Sequence, residues 1–291
     1  MLRQNIIMKI ITAVYTVLLL ASCKSKIKQK EDGIYSRHLN EQVKLTVITT
    51  PMPDDKNSIN LLLLNDGQDL DKLRVKAIVD SLYKLKLIQP LVVVGIHAGN
   101  RMQEYGVAGK PDYQHNGANA DKYSAFITDE LYPFAKKQAG VRKFNSISIA
   151  GCSLGGLSAF DIAWNHADRI NKVGVFSGSF WLRDKDANDP SYSDEVDRLE
   201  YASVKSSHKR PKLQCWFYAG TGEETGDRDK DGIIDVVDDT RDMISLLETK
   251  NVAPADIFYK ETPGGKHDYA DWSSVFPEFL LWAVGNKPTS R

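Results

Sequence analysis

Ile149-Ala150-Gly151-Cys152-Ser153-Leu154-Gly155-Gly156 sets Gly-x-Ser-x-Gly directly behind an apolar, β-prone segment. Upstream, Ser146-Ile147-Ser148-Ile149 alternates as a strand does, and downstream Leu157, Phe160, Ala163 and Trp164 recur at helical spacing. Strand, sharp turn and helix in that order make a nucleophile elbow, where a serine on a strained backbone presents its hydroxyl beyond the strand end. Gly151 and Gly155 remove the Cβ atoms that so tight a turn would press together. The same residues also fit an ordinary glycine-rich strand-to-helix turn. The reading therefore depends on partners elsewhere in the chain.

On such a scaffold an acid and a histidine follow the serine, in that order. His267 lies in Thr262-Pro263-Gly264-Gly265-Lys266-His267-Asp268-Tyr269, just behind the strand-like Asp256-Ile257-Phe258-Tyr259-Lys260. An imidazole there can take the serine proton and hand it to a leaving alcohol. Of the other histidines, His97 follows the apolar run from Leu91 to Ile96 and is a candidate substrate contact; His38, His115, His166 and His208 have no comparable setting. The acid is expected beyond Gln214-Cys215-Trp216-Phe217-Tyr218-Ala219-Gly220, at Glu223, with Glu224 and Asp227 as competitors that spacing does not separate. For a developing oxyanion, one donor is the N–H of Leu154, and the second is the N–H of Gly67 or Gln68 in the turn Asp66-Gly67-Gln68. Arg101 and Glu104 fit either a pocket or a surface ion pair.

These segments together resemble the esterase group of the α/β-hydrolases that includes the enterochelin esterase, esterase D and feruloyl or acetyl esterase types. Leu61-Leu62-Leu63-Leu64-Asn65-Asp66-Gly67-Gln68 looks like the group's strand and oxyanion turn, and Val94-Gly95-Ile96 with Arg101, Glu104 and Tyr105 like its next strand and loop. Tyr123 to Pro133, Phe176-Ser177-Gly178-Ser179, and His267 with Trp272 are similar to later segments. The resemblance implies an α/β-hydrolase fold, with a mostly parallel central sheet and helices on both faces. It implies Ser153 as nucleophile, His267 as base and Glu223 in the place of the acid, which in this group is more often aspartate. It further implies carboxylic ester hydrolysis through an acyl-enzyme, on acylated polysaccharides or siderophore esters, with no organic cofactor. The alternatives are acyl transfer, or a calcium-stabilised binding lipoprotein that keeps the fold without the chemistry.

Asp227-Arg228-Asp229-Lys230-Asp231-Gly232-Ile233-Ile234-Asp235-Val236-Val237-Asp238 matches a calcium loop. Carboxylates at positions 1, 3 and 5, glycine at 6, a carbonyl at 7 and a carboxylate at 12 are the EF-hand pattern. The expected ligands are Asp227, Asp229, Asp231, the carbonyl of Ile233, Asp238, and Asp235 directly or through water. The other reading is a solvated acidic loop.

At the amino terminus, Arg3 and Lys9 precede the apolar run Ile10 to Leu20, which is too short to span a bilayer and has signal-peptide flanks. Leu20-Ala21-Ser22-Cys23 resembles a bacterial lipobox. The expected organisation is a lipoprotein signal peptide over 1–22, a lipidated Cys23 opening a tether over 23–32, and one esterase domain over 33–288 with the calcium loop at 227–238. Such a protein belongs in the cell envelope, anchored outside the cytoplasm. The polar stretch Asp184 to Arg210 is either a cap or lid over the site or an idle surface excursion. Lys plus Arg and Asp plus Glu are balanced at 38 each with no basic stripe, which argues against a nucleic-acid partner. Cys152 and Cys215 are expected as free, buried thiols.

Overall fold

Runs of leucine and β-branched residues, apolar at every position, are what a strand needs when both of its faces are covered. Asn60–Asn65, Leu91–Ile96 and Ile147–Cys152 come close to that, broken only by the terminal Asn60 and Asn65 and by Ser148, and each is buried throughout. The computed structural model describes residues 27–286. In chain order its elements are β1 (Lys28–Ser36), β2 (Glu41–Thr49), β3 (Asn60–Asn65), α1 (Val75–Lys84), β4 (Leu91–Ile96), α2 (Arg101–Glu104) and α3 (Ala120–Ala125). A π-helical stretch (Phe126–Leu131) joins α3 to α4 (Tyr132–Ala139). Then come β5 (Ile147–Cys152), α5 (Leu154–Asn165), β6 (Lys172–Phe176), α6 (Asp194–Asp197), α7 (Leu199–Ser206), β7 (Gln214–Gly220), α8 (Asp235–Thr249), β8 (Ile257–Thr262) and α9 (Tyr269–Val284).

The strands form one eight-stranded sheet in the order β1-β2-β4-β3-β5-β6-β7-β8. The β1–β2 and β2–β4 pairs at one edge are antiparallel and the remaining pairs are parallel. Side chains alternate between two cores. Leu61, Leu63, Val92, Val94, Ile149 and Phe217 face a core completed by Phe126, Phe160 and Met243. Leu62, Leu64, Val93, Trp216 and Tyr218 face a second, completed by Val79, Trp272, Phe276 and Phe279. The fold is therefore α/β-hydrolase-like, with the expected mostly parallel sheet covered on both sides. β3 is followed in sequence by β4 on one side and, later, by β5 on the other, so the strand order switches direction between β3 and β5. A crevice opens at the carboxyl ends of the strands at such a switch point.

One expectation is corrected. Lys28–Asp32, read as tether, is the first half of β1, where Lys28 to Asp32 pair with Thr49 to Leu45; backbone pairing outweighs their polar composition. The expected tether thus reaches at most to Ile27, and Cys23 with the signal segment lies outside the described residues. The cap candidate contains α6 and α7 and is fastened down. Arg198, between them, donates to Asp239 at 2.5 Å and to Asp242 at 2.6 Å on α8, and the Arg198 and Asp239 side chains are 3% and 0% exposed. Arg228 closes the same network on Asp239, Asp194 and Asp235.

Candidate active site

The turn after β5 concentrates its strain on one residue. Ser153 has φ 55° and ψ −126°, a region L-residues rarely occupy. Its surroundings hold it there: its N–H donates to the Phe176 carbonyl at 2.8 Å, and its carbonyl accepts from the N–H groups of Gly156 at 2.9 Å and Leu157 at 3.1 Å. A Cβ on Gly151 would stand 2.3 Å from the Gly155 carbonyl oxygen, and one on Gly155 would stand 2.7 Å from an Asp66 carboxylate oxygen. These two close approaches are the physical reason for glycine on either side of the serine.

The Phe176 contact ties the elbow to the end of β6, and the next residue continues the network. Ser177, itself at φ 51°, donates from Oγ to Glu223 Oε1 at 2.6 Å and accepts from Trp272 Nε1 at 2.8 Å. The Gly220 N–H also donates to Glu223 Oε1 at 2.6 Å, and Glu223 Oε2 lies 2.7 Å from His267 Nδ1. An ionised carboxylate only accepts, so Nδ1 carries the hydrogen and Nε2 is left as the basic nitrogen. The Glu223 side chain is 1% exposed and that of His267 39%. The loops bearing them are joined by Gly222 N–H to Gly265 carbonyl at 2.9 Å and Gly264 N–H to Thr221 Oγ1 at 2.8 Å. Trp272 packs edge-on to the imidazole at 5.0 Å between centroids.

Geometry separates the acid candidates. Glu224 Oε1 accepts from the Val236 N–H at the start of α8, and Asp227 belongs to the acidic loop. No hydrogen bond joins Ser153 to His267 among the described residues; Ser153 Oγ lies instead 3.4 Å from Ser179 Oγ. Cys152, beside the serine, is buried, and burial pushes its thiol well up, which keeps it neutral. Cys152 and Cys215 are both free.

Asp66, at φ 58°, turns the chain after β3, and Gly67 lies so close to Gly95 of β4 that a Cβ would stand 2.4 Å from its carbonyl carbon. The N–H groups of Gly67, Gln68 and Leu154 donate to no other group among the described residues. Arg101 pairs with Asp66 at 2.9 and 3.2 Å, not with Glu104, whose carboxylate accepts from the Gly99 and Asn100 N–H groups. His97 is not a pocket residue: its Nε2 lies 2.8 Å from Thr46 Oγ1, on the β2 side.

A cavity of about 260 Å³ opens beside Ser153, lined among others by Leu154, Ser179, Tyr113, Trp181 and Arg183. A larger concavity of about 790 Å³ lies against β1 and β2 and contains none of these residues. Chemistry decides for the smaller one, which alone holds the strained serine. Sequence reading missed Ser177, Ser179, Trp181 and Arg183. Their signal was positional, since all follow the carboxyl end of β6, next to the elbow strand.

In the acidic loop, ligand atoms of Asp227, Asp229 and Asp231 lie within 4.8 Å of one another, and Asp227 Oδ1 is buried without a partner. Asp235 does not join them. As the first residue of α8 it accepts from the Arg228 N–H at 2.9 Å and pairs with the Arg228 guanidinium at 3.1 Å, an attraction available without any ion. Asp238, also in the first turn of α8, is pushed up to about 6 by burial first and then by repulsion from Asp242, Asp229 and Asp231.

Residues 36–283 match the model of a family described as "Putative esterase". Protein YbbA of Bacillus subtilis (strain 168) is 23% identical over 260 residues, 87% of this chain and 97% of YbbA. The enterobactin esterase FES from Shigella flexneri is similar in structure, with a TM-score of 0.69 at 20% identity over 89% of this chain, which spans only 60% of that protein. A ferulic acid esterase has a TM-score of 0.65 at 18% identity, over 89% of this chain and 97% of its own.

The backbone strain at position 153 has a measurable consequence. Glycine tolerates this conformation and alanine does not, so Ser153→Gly is expected to be more stable than Ser153→Ala by about 1–2 kcal/mol in urea unfolding. Equal stabilities would mean that the serine carries no strain.

Proposed function

This chain belongs to that esterase family and is a carboxylic ester hydrolase of the serine hydrolase type, and we propose that it works through an acyl-enzyme on Ser153. In this reading Ser153 Oγ rotates from Ser179 toward His267, attacks the ester carbonyl carbon and gives its proton to His267 Nε2. The resulting oxyanion takes hydrogen bonds from the Leu154 N–H and from Gly67 or Gln68. The carbon–oxygen bond to the alcohol breaks, and His267 returns its proton to the departing oxygen. Water then loses a proton to His267, attacks the acyl carbon and releases the acid, restoring Ser153. Glu223 holds the imidazole in the needed tautomer and stabilises it while charged.

One observation carries the reading: a strained serine and a histidine held by the buried Glu223 are joined by a single network through Phe176 and Ser177. The two similar structures are an enterobactin esterase and a ferulic acid esterase. We accordingly place the natural ester among siderophore esters and acylated polysaccharides.

We also propose a structural calcium held by Asp227, Asp229 and Asp231, with the Ile233 carbonyl and Asp238 completing the shell. The clustered carboxylates and the orphaned Asp227 oxygen support it, and oxygen-only ligands suit a hard cation. The ion would order the segment between Glu223 and α8. The amino terminus adds a proposal on location. A lipidated Cys23 would hold the β1 edge of the sheet, which begins at Lys28, close to an envelope membrane on the outer side of the cytoplasm.

Three outcomes test these readings. The soluble form starting after Cys23 should hydrolyse p-nitrophenyl acetate or butyrate, and Ser153→Ala should lower kcat by about 10³-fold or more; turnover that survives the substitution would contradict the mechanism. Millimolar calcium should raise Tm, by an amount equivalent to about 2.7 kcal/mol at a hundredfold excess over Kd, with Asp229→Asn removing the effect; an unchanged Tm would exclude the ion. The full chain expressed in bacteria should sediment with membranes and Cys23→Ala should not, whereas equal partition would remove the anchor.

A further inference from the structure

The cavity beside Ser153 contains a cation that the protein does not neutralise. Arg101, in the same wall, is occupied by Asp66 and reaches the Cys152 carbonyl at 3.5 Å. The wall's carboxylate, Asp112, accepts from the N–H groups of Gln114 and Asn116 and from Asn116 Nδ2. Arg183 is different. Its guanidinium makes no ion pair and no hydrogen bond among the described residues, and its Nε is shut off from solvent without a partner. The neighbouring Arg198 and Arg228, by contrast, are each matched to two or more carboxylates.

A donor left buried without a partner is costly, and more so when charged. The Arg183 backbone is nevertheless anchored. Its carbonyl accepts from the Tyr113 N–H at 3.2 Å, its backbone bridges to Arg198, and its guanidinium carbon lies 5.8 Å from the centroid of the Tyr192 ring. The Tyr192 hydroxyl donates to Asp194 and no hydrogen bond joins it to Arg183 among the described residues, so what the ring gives the cation is its π-face. A guanidinium with unused donors, carried on an anchored backbone and resting beside an aromatic ring in the cavity of a nucleophilic serine, is suited to receive a planar anion. Trp181, 41% exposed, and Tyr113, 39% exposed, line the same cavity and supply flat apolar surface beside it.

We propose that the ester this site takes carries a carboxylate, bound by Arg183 while Ser153 attacks the ester carbonyl. The proposal rests on the esterase reading above. The carboxylate can belong to the acyl part or to the alcohol part, and matched substrate pairs separate the two. Mono-4-nitrophenyl succinate against 4-nitrophenyl butyrate places the charge on the acyl side. 3-Acetoxybenzoate against its methyl ester places it on the alcohol side.

The native protein should favour the charged member of at least one pair by tenfold or more in kcat/KM, mainly through KM and less so at high salt. Arg183→Gln should abolish that preference, and Arg183→Lys should restore part of it. Should Arg183→Gln not fold, inhibition of the native protein decides: 3-hydroxybenzoate should compete at least tenfold more tightly than 3-hydroxybenzamide. Ser153-dependent turnover with no charge preference in either pair, or a preference that survives Arg183→Gln, would overturn the proposal and leave the esterase reading intact. Absent turnover of all four esters, or turnover that survives Ser153→Ala, would remove the esterase reading and the proposal with it.

Discussion

The arrangement depends on one backbone constraint: a serine held at positive φ where a buried parallel strand meets a helix. Gly151 and Gly155 approach closely enough that any side chain on either would collide with backbone or with Asp66. The Ser153 N–H cannot satisfy itself within α5, and it is satisfied by the Phe176 carbonyl at the end of the next strand. That bond fixes the distance between the elbow and the residues after β6. Strain at one position is thus maintained by the register of two neighbouring strands, which is the setting in which strained residues persist.

From Phe176 the order continues through side chains. Ser177 connects a tryptophan of α9 to a carboxylate beyond β7, and that carboxylate holds the histidine beyond β8. Three consecutive parallel strands therefore deliver one residue each to a common network, and the parallel sheet is what brings their carboxyl ends together. Burying Glu223 would be costly if it stood alone. It receives donors from Gly220, Ser177 and His267, so its charge is compensated before any substrate arrives. The same rule governs Asp66 with Arg101 and Asp239 with Arg198 and Arg228. Arg183 departs from that rule among the described residues, and it lines the cavity beside Ser153.

The parallel strands were legible because they are continuous apolar runs, and the elbow because glycine has few other uses directly around a serine between a strand and a helix. The acid was legible only as a region. Glu223 and Glu224 are adjacent and chemically alike, and what separates them is a hydrogen bond from Ser177, a residue some forty-six positions earlier in the chain. The first strand was misread as tether because Lys28–Asp32 is polar on every residue, as an exposed edge strand can be. Asp235 was counted with the metal ligands because spacing says nothing of Arg228, which reaches back and takes its carboxylate. Arg183 could not be singled out at all, since its distinguishing property is the absence of a partner in three dimensions.

The central claim is that Ser153 is a nucleophile activated by His267. The most direct measurement is site-resolved mass spectrometry after treatment with a fluorophosphonate, which reacts covalently with an activated serine in place of an ester. A single adduct on Ser153, formed far more slowly in His267→Ala, is the result this account predicts. No adduct on the folded protein, or an adduct on another residue with Ser153 unmodified, would contradict it.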